Sequence, residues 1–257
     1  MKYQSKEKAV LVLEDGTYFV GNAIGKKGTS GGEICFNTGM TGYQEIYTDP
    51  SYYGQVVVNT TSHIGNYGVN DEEEESSKPK ISGLVVNNYS SVHSRYQSSG
   101  SLQEYLEAND IVGISNVDTR RIVRYIRTRG AMNCLISSEE LDPEILTKKL
   151  AEVPSMEGLE LSSIVSTQEP YFYGDPESEY KVAVLDIGIK RNILKSLSSR
   201  GCYLQVFPAK TSFEEMDSWN PNGFFLSNGP GDPSVMEYAV ETVKKIVASN
   251  KPIFGIC

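Results

Sequence analysis

Cysteine and histidine are scarce in this sequence, which has four cysteines and two histidines in 257 residues. The cysteines lie far apart and no C-x-x-C pair occurs, which argues against a zinc site. Cys35, Cys134 and Cys202 lie among apolar residues, and we predict that they are reduced core thiols. This cysteine usage is typical of a protein of the reducing cytoplasm, and we predict a cytoplasmic location.

Long apolar runs are also missing. No run is long enough to cross a bilayer, and the first residues lack the apolar core of a signal peptide. The net charge of -9 argues against a general surface for nucleic acid or anionic membranes. With 39% hydrophobic and 22% charged residues, the composition is that of a globular protein with room for one large domain or two ordinary ones.

The second half of the sequence alternates apolar runs with segments of helical periodicity. Strands that are apolar throughout are typical of a parallel sheet covered on both faces, so residues 181–257 predict the first part of a doubly wound α/β domain. The predicted strands are 182–186, 203–207, 224–226 and 253–256, and the predicted helices are 189–200, 212–218 and 235–247. Residues 168–180, rich in proline, glycine and acidic side chains, are predicted to be a linker.

The first half, residues 1–167, predicts a domain of mixed α+β structure. Residues 8–24 favour a hairpin, because two apolar strands flank a Glu-Asp-Gly turn. Further strands are predicted at 55–59 and 81–87, and helices at 102–108 and 142–151. The acidic run Asp71–Glu75 is expected to be a solvated loop.

One helix of the first half carries an unusual charge. Asp118 is a natural N-cap, Gly130 ends the helix, and five arginines lie between them. A solvated face is the simpler interpretation. The alternative is a contact surface for an acidic partner or for the chain's own acidic loop.

The last stretch, Gly223–Cys257, has the pattern strand, Gly-Pro-Gly loop, helix, strand. The loop Ser227–Pro233 and Cys257 therefore follow the carboxyl ends of two parallel strands, where ligands bind in open α/β sheets. Gly255-Ile256-Cys257 is the first half of a nucleophile elbow, although a structural thiol at a strand end is the alternative. The loop could form an oxyanion hole or merely start the helix, and spacing alone does not separate the two.

The motifs SNGPGDP and PIFGIC resemble the class I glutamine amidotransferase domain. Segments of the first half indicate which enzymes with this domain the chain resembles. They are FNTGMTGYQEIYTDPSYYGQ, HIGNYGVNDEEEESS, VDTRRIVRYIRTRGA and the opening LVLEDGTYFVGNAIG. With DIGIKRNIL in the second half, these segments closely resemble the small, glutaminase subunits of carbamoyl-phosphate synthases. The similarity covers nearly the whole chain.

The resemblance implies that glutamine is hydrolysed to glutamate and ammonia, with Cys257 forming a γ-glutamyl thioester. Gly229 and Gly231 match glycines that hold and polarise the substrate, and Ser51 matches a glutamine-binding serine of the first domain. Ammonia would pass to a large subunit, paired with this chain as a heterodimer, that makes carbamoyl phosphate from bicarbonate and ATP for arginine or pyrimidine synthesis. ATP and a divalent metal are expected in that subunit and no cofactor in this chain, which has no P-loop.

The sequence departs from the family's pattern in one respect. In the family a general base histidine and a partner glutamate follow the nucleophilic cysteine, and the sequence as given ends at Cys257. His63 and His93 belong to the first domain, and we expect both to be structural or solvated. The chain as given is therefore predicted to be a fragment that is inactive alone. The alternatives are a catalytically dead docking fragment and another cysteine hydrolase on a similar sheet.

Overall fold

A computed structural model describes residues 7–257, and the first six residues lie outside this description. The segment for which no signal peptide was predicted therefore lies partly outside the described residues. The chain divides into two compact units, Met1–Ser155 and Met156–Cys257. No helix within residues 7–257 combines the length and apolar character that a membrane span needs.

The described part of the first unit contains a closed β-barrel, a two-stranded sheet and four α-helices. Its strands are β1 (Lys8–Leu13), β2 (Tyr18–Gly25), β3 (Thr29–Asn37), β4 (Val56–Asn59), β5 (His63–Ile64), β6 (Gly83–Val85), β7 (Asn88–Tyr89), β8 (Val112–Ser115) and β9 (Asn133–Ser137). Its helices are α1 (Tyr43–Thr48), α2 (Leu102–Ala108), α3 (Thr119–Arg129) and α4 (Pro143–Leu150). The barrel order is β1-β2-β8-β6-β4-β3-β9, and β5 pairs with β7.

The predicted elements of the first unit are present, and the expected mixed α+β structure is confirmed. The strands β3, β5, β7, β8 and β9 and the helix α1 were not predicted. β1 and β2 form the antiparallel hairpin, with Val10 opposite Val20. The helix α3 begins where expected, because the Asp118 side chain accepts a hydrogen bond from the Arg121 N–H at 2.9 Å. Its inward face is apolar, since Ile122 and Ile126 are buried.

The acidic run Asp71–Glu75 lies in a loop, but three of its carboxylates are not simply solvated. Glu73 forms an ion pair with Arg95, and Glu74 accepts a hydrogen bond from the Tyr105 hydroxyl at 3.0 Å. Glu75 is buried. The prediction of a solvated loop is wrong for these side chains, because partners distant in sequence offset the repulsion between neighbouring carboxylates.

The second unit is a five-stranded sheet with helices, and the predicted α/β class is confirmed. Its strands are β10 (Tyr171–Tyr173), β11 (Tyr180–Asp186), β12 (Cys202–Pro208), β13 (Gly223–Leu226) and β14 (Ile253–Gly255). Its helices are α5 (Ser162–Val165), α6 (Arg191–Ser198), α7 (Phe213–Ser218) and α8 (Glu237–Ala248). The sheet order is β10-β12-β11-β13-β14, parallel except where β10 pairs with β12.

The strand β10 lies within the segment 168–180, for which a linker was expected. Its aromatic side chains explain the pairing, since Phe172 stacks on Tyr203 with ring centroids 5.4 Å apart and contacts Trp219 at 5.9 Å. The division between the compact units falls between Ser155 and Met156, earlier in the chain than the predicted boundary. The division into domains at 1–167 and 181–257 stays a prediction.

Candidate active site

The second unit has a switch point in its sheet. The strand β11 lies between β12 and β13, and the chain runs from β11 to β12 before it returns to β13 on the other side. At such a point the connections leave neighbouring parallel strands in different directions, and the crevice outside the carboxyl ends is where ligands bind. The loop Ser227–Pro233 begins at this edge, directly after β13.

The start of this loop is tied to the loop that follows β11. Ser227 and Asn228 are buried. The Ile187 N–H donates to Ser227 Oγ at 2.9 Å, and the Lys190 N–H donates to Asn228 Oδ1 at 3.4 Å. These contacts hold the two loops of the switch point together.

The two glycines of the loop are exposed, yet neither has room for a side chain. A Cβ on Gly229 would lie 1.9 Å from the Ile187 carbonyl oxygen. A Cβ on Gly231 would lie 2.6 Å from the Leu159 carbonyl oxygen, and its φ of +87° is strained for any other residue. Pro230 between them is buried. Glycine at positions 229 and 231 is therefore required by close approach of the neighbouring backbone.

The segment 158–162, which ends at the first residue of α5, braces the loop through hydrogen bonds. The Ser162 hydroxyl donates to the Pro230 carbonyl at 3.1 Å, and the Asp232 N–H donates to the Leu159 carbonyl at 2.9 Å. The Gly158 N–H donates to Asp232 Oδ2 at 3.0 Å. Three hydrogen bonds therefore fix the loop between Pro230 and Asp232.

Two carboxylates of this brace are held in their charged form. Hydrogen bonds from Ser234 and from the Gly158 N–H keep the pKa of Asp232 below its ordinary value. Burial acts to raise the pKa of Glu160, but hydrogen bonds from Ser163 and from the Tyr238 hydroxyl outweigh it, and the pKa is lowered. Both carboxylates therefore remain acceptors at neutral pH.

Asp186 ends β11 and organises the neighbouring loop. Its Oδ1 accepts from the N–H groups of Gly188 and Ile189 at 2.9 and 2.8 Å, and its Oδ2 accepts from the Thr167 N–H at 2.8 Å. The helix α6 was predicted to begin at Ile189 but begins at Arg191, so this boundary was wrong. The reason is that the turn formed by Asp186 includes Ile189.

Cys257 follows β14, the strand next to β13. In the parallel register Leu226 is paired with Gly255, and the Ile256 N–H donates to the Leu226 carbonyl at 3.1 Å. Cys257 is exposed. It therefore leaves the sheet at the same edge as the loop Ser227–Pro233, one strand further along.

The other cysteines differ from Cys257 in their surroundings. Burial raises the pKa of Cys35 to about 12 and raises the pKa values of Cys134 and Cys202 as well. All four cysteines are free. Within residues 7–257, no group of three or more His, Cys, Asp or Glu side chains could hold a metal ion.

The remaining candidate residues lie in the first unit. Ser51 belongs to a 3₁₀ turn, Pro50–Tyr52, and its N–H donates to Asp49 Oδ1 at 2.9 Å. His63 is exposed on β5, and His93 is half-buried in a loop. The glutamine-binding role of Ser51 stays a prediction.

Sequence reasoning missed the brace and the role of Asp186. An aspartate between an apolar strand and a glycine is a detectable turn signal, so Asp186 could have been found. The segment 156–167 offers no comparable signal, because its contacts with the loop span about 70 residues of sequence.

The chain was compared with known proteins. Residues 11–136 match the family model of the carbamoyl-phosphate synthase small chain, CPSase domain, and residues 183–257 match glutamine amidotransferase class-I. The carbamoyl phosphate synthase small chain of Vibrio cholerae serotype O1 is 45% identical over 267 residues, covering 98% of this chain and 70% of the relative. That of Escherichia coli O6:H1 is 44% identical, with the same coverage. That of a Synechococcus sp. is 45% identical over 269 residues, covering 100% and 69%.

One solved structure, an aminopeptidase from Aneurinibacillus sp. strain AM-1, aligns with a TM-score of 0.31 and 10% identity over 88% of this chain and 57% of that chain. A likeness this weak has no bearing on fold or function.

The two family models match different units of the chain: the small-chain model matches the unit with the barrel, and the amidotransferase model matches the unit with the switch point. On the identity and coverage of its relatives, the chain belongs to the carbamoyl-phosphate synthase small-chain family, and its second unit carries a class I glutamine amidotransferase domain.

Proposed function

We propose that the protein releases ammonia from the side-chain amide of glutamine, with Cys257 as the nucleophile. The observation that carries the proposal is the hydrogen bond from the Ile256 N–H to the Leu226 carbonyl. It supports a single reaction site, because the thiol and the Gly-Pro-Gly loop leave adjacent strands at one edge of the sheet. A substrate in the crevice would contact both.

The reaction has two covalent steps. The Cys257 thiolate attacks the amide carbon, and the resulting oxyanion collapses as the C–N bond breaks and ammonia leaves with an added proton. Water then adds to the γ-glutamyl thioester, which releases glutamate and restores the thiol. The family resemblance implies that a histidine and a glutamate beyond Cys257 move these protons.

The loop would bind and polarise glutamine through Gly229 and Gly231. Both glycines are exposed, and no acceptor within the described residues receives a hydrogen bond from either N–H. Unpaired N–H groups on a braced backbone are the donors that an oxyanion needs, because they require no reorganisation as charge develops. Ser51 is proposed as a further glutamine contact from the first unit.

The first unit would dock a large synthetase chain in a heterodimer. That chain would combine the ammonia with bicarbonate and ATP, and it would hold the ATP and the divalent metal. The product would supply arginine or pyrimidine synthesis. A cytoplasmic location is proposed from the widely spaced, free cysteines.

The test uses the native small chain in complex with the large chain. Cys257→Ser should abolish carbamoyl phosphate formation from glutamine and leave formation from added ammonia unchanged. Cys202→Ser is the matched control and should keep both activities. Glutamine-dependent synthesis by the Cys257→Ser complex would contradict the proposal.

A further inference from the structure

The helix α3 has a row of arginines on its exposed side. Arg120, Arg124 and Arg127 recur at intervals of four and three residues and therefore share one face. Ile122 and Ile126 are buried on the opposite side. Five of the eight arginines in the chain lie in this helix, although the net charge of the protein is -9.

The three arginines of this row have no partner within the described residues. No hydrogen bond or ion pair reaches their guanidinium groups, in contrast to Arg95, which pairs with Glu73. The other two arginines of α3 are held on aromatic rings, with Arg121 lying 5.4 Å from the ring centroid of Phe19 and Arg129 lying 5.5 Å from that of Tyr125. Like charges at these spacings destabilise a helix, so an acidic partner at this row would relieve the repulsion between the arginines.

A groove beside the row adds neutral hydrogen-bonding groups. It has a volume of about 660 Å³. Thr60, Ser62, Asn87 and Asn88 line it together with the three arginines, and no carboxylate does. Guanidinium, hydroxyl and amide groups in one groove are suited to bind carboxylates.

The chain's own acidic loop is not the occupant. Glu73 is paired with Arg95, Glu74 accepts from Tyr105, and Glu75 is buried. Three of the five carboxylates of the run Asp71–Glu75 are therefore engaged elsewhere in the first unit, and neither Asp71 nor Glu72 lines the groove.

We propose that Arg120, Arg124 and Arg127 form a docking face for an acidic segment of the large chain. The identity of the partner rests on the proposed function, whereas the acidic character of the segment rests on the groove. A long polyanion such as nucleic acid would be repelled by the overall negative charge. A short acidic segment meets only the basic face, so this face would orient the partner as it associates.

The test measures association of the small chain with the large chain as a function of salt. The variant Arg120→Gln, Arg124→Gln, Arg127→Gln should slow association about tenfold at low salt and flatten its salt dependence. The matched control Lys78→Gln, Lys148→Gln, Lys149→Gln removes the same charge from exposed lysines and should change the rate less than about twofold. Replacing the three arginines by lysine should restore most of the rate.

The possible failures are distinct. If the unaltered small chain does not bind the large chain, the proposed function is refuted and this docking face loses its partner. If the unaltered chain binds, and the arginine variant associates at the same rate and with the same salt dependence as the lysine control, the docking face is refuted alone. Thermal unfolding of the arginine variant at an unchanged temperature excludes misfolding as the cause of slow association.

Discussion

The Ser162 hydroxyl donates a hydrogen bond to the carbonyl oxygen of Pro230 at 3.1 Å, between residues 68 positions apart in the sequence. Both groups are buried. This bond joins the first residue of α5 to the centre of the Gly-Pro-Gly loop. The geometry of the proposed oxyanion site thus depends on a residue that lies outside the recognisable motif.

Ser162→Ala should therefore loosen the loop. Losing the bond leaves a buried carbonyl without this donor, which costs about 1–2 kcal/mol of unfolding free energy. The KM for glutamine should rise in the native complex. Ser199→Ala is the control, because the Ser199 hydroxyl also donates to a carbonyl at 3.1 Å but on an exposed helix end. Equal effects of the two substitutions on KM would contradict a positioning role for Ser162.

Gly231→Ala should damage both stability and glutamine binding. The added Cβ meets the Leu159 carbonyl at 2.6 Å, and the backbone has a φ of +87°. We expect a loss of about 2–4 kcal/mol in unfolding free energy, measured by urea denaturation. Gly201→Ala separates the two causes, because φ is +78° there but no atom lies within 4 Å of the added Cβ. A loss of about 1 kcal/mol is expected at Gly201, and a comparable loss at Gly231 would refute the steric argument.

The cysteines should differ in their reactivity towards iodoacetamide. Cys257 is exposed, whereas burial raises the pKa of Cys35 to about 12 and raises the pKa of Cys134. Alkylation of the folded protein near pH 8 should modify Cys257 first and leave Cys35 and Cys134 as thiols, because the thiolate is the reacting form. Peptide mapping after a time course measures the order. Early modification of Cys134 would contradict the packing of the barrel.

The free energy of unfolding should fall as the pH rises above about 8.5. Burial raises the pKa values of Cys35 and Tyr89 to about 12, above the ordinary values of about 8.5 and 10. These groups keep their protons in the folded state and lose them in the unfolded state. Their stabilisation is therefore complete below about pH 8.5 and is lost as the pH rises towards 12. Urea denaturation at a series of pH values across this range, with a reductant present, measures the free energy of unfolding of the first unit. This free energy should decline as the pH rises. A constant or rising value would refute the raised pKa values of Cys35 and Tyr89.

Much of the second unit could be predicted because its signals are local. Continuous apolar strands such as β11 alternate with helices of clear periodicity, and this pattern determines a parallel sheet. The N-cap Asp118 and the stop at Gly130 are local signals of the same kind. Cys257 and the loop Ser227–Pro233 were recognisable because they lie within one short βαβ unit, whereas the roles of Gly229 and Gly231 were implied by the family resemblance.

The missed features depend on contacts between distant residues. Closure of the barrel requires β3 to pair with both β4 and β9, and no periodicity encodes that choice. The strand β10 forms because Phe172 meets Tyr203, and the acidic loop is ordered because Glu73 meets Arg95. The brace of the Gly-Pro-Gly loop is non-local in the same way.

The most direct test of the account is to trap the covalent intermediate. The native complex would be mixed with isotopically labelled glutamine, quenched in acid within the first turnover and mapped by mass spectrometry. The account predicts a γ-glutamyl group on the peptide that contains Cys257, and none in the Cys257→Ser variant. Label on a different residue, or turnover of glutamine without any label on Cys257, would contradict the assignment of the nucleophile.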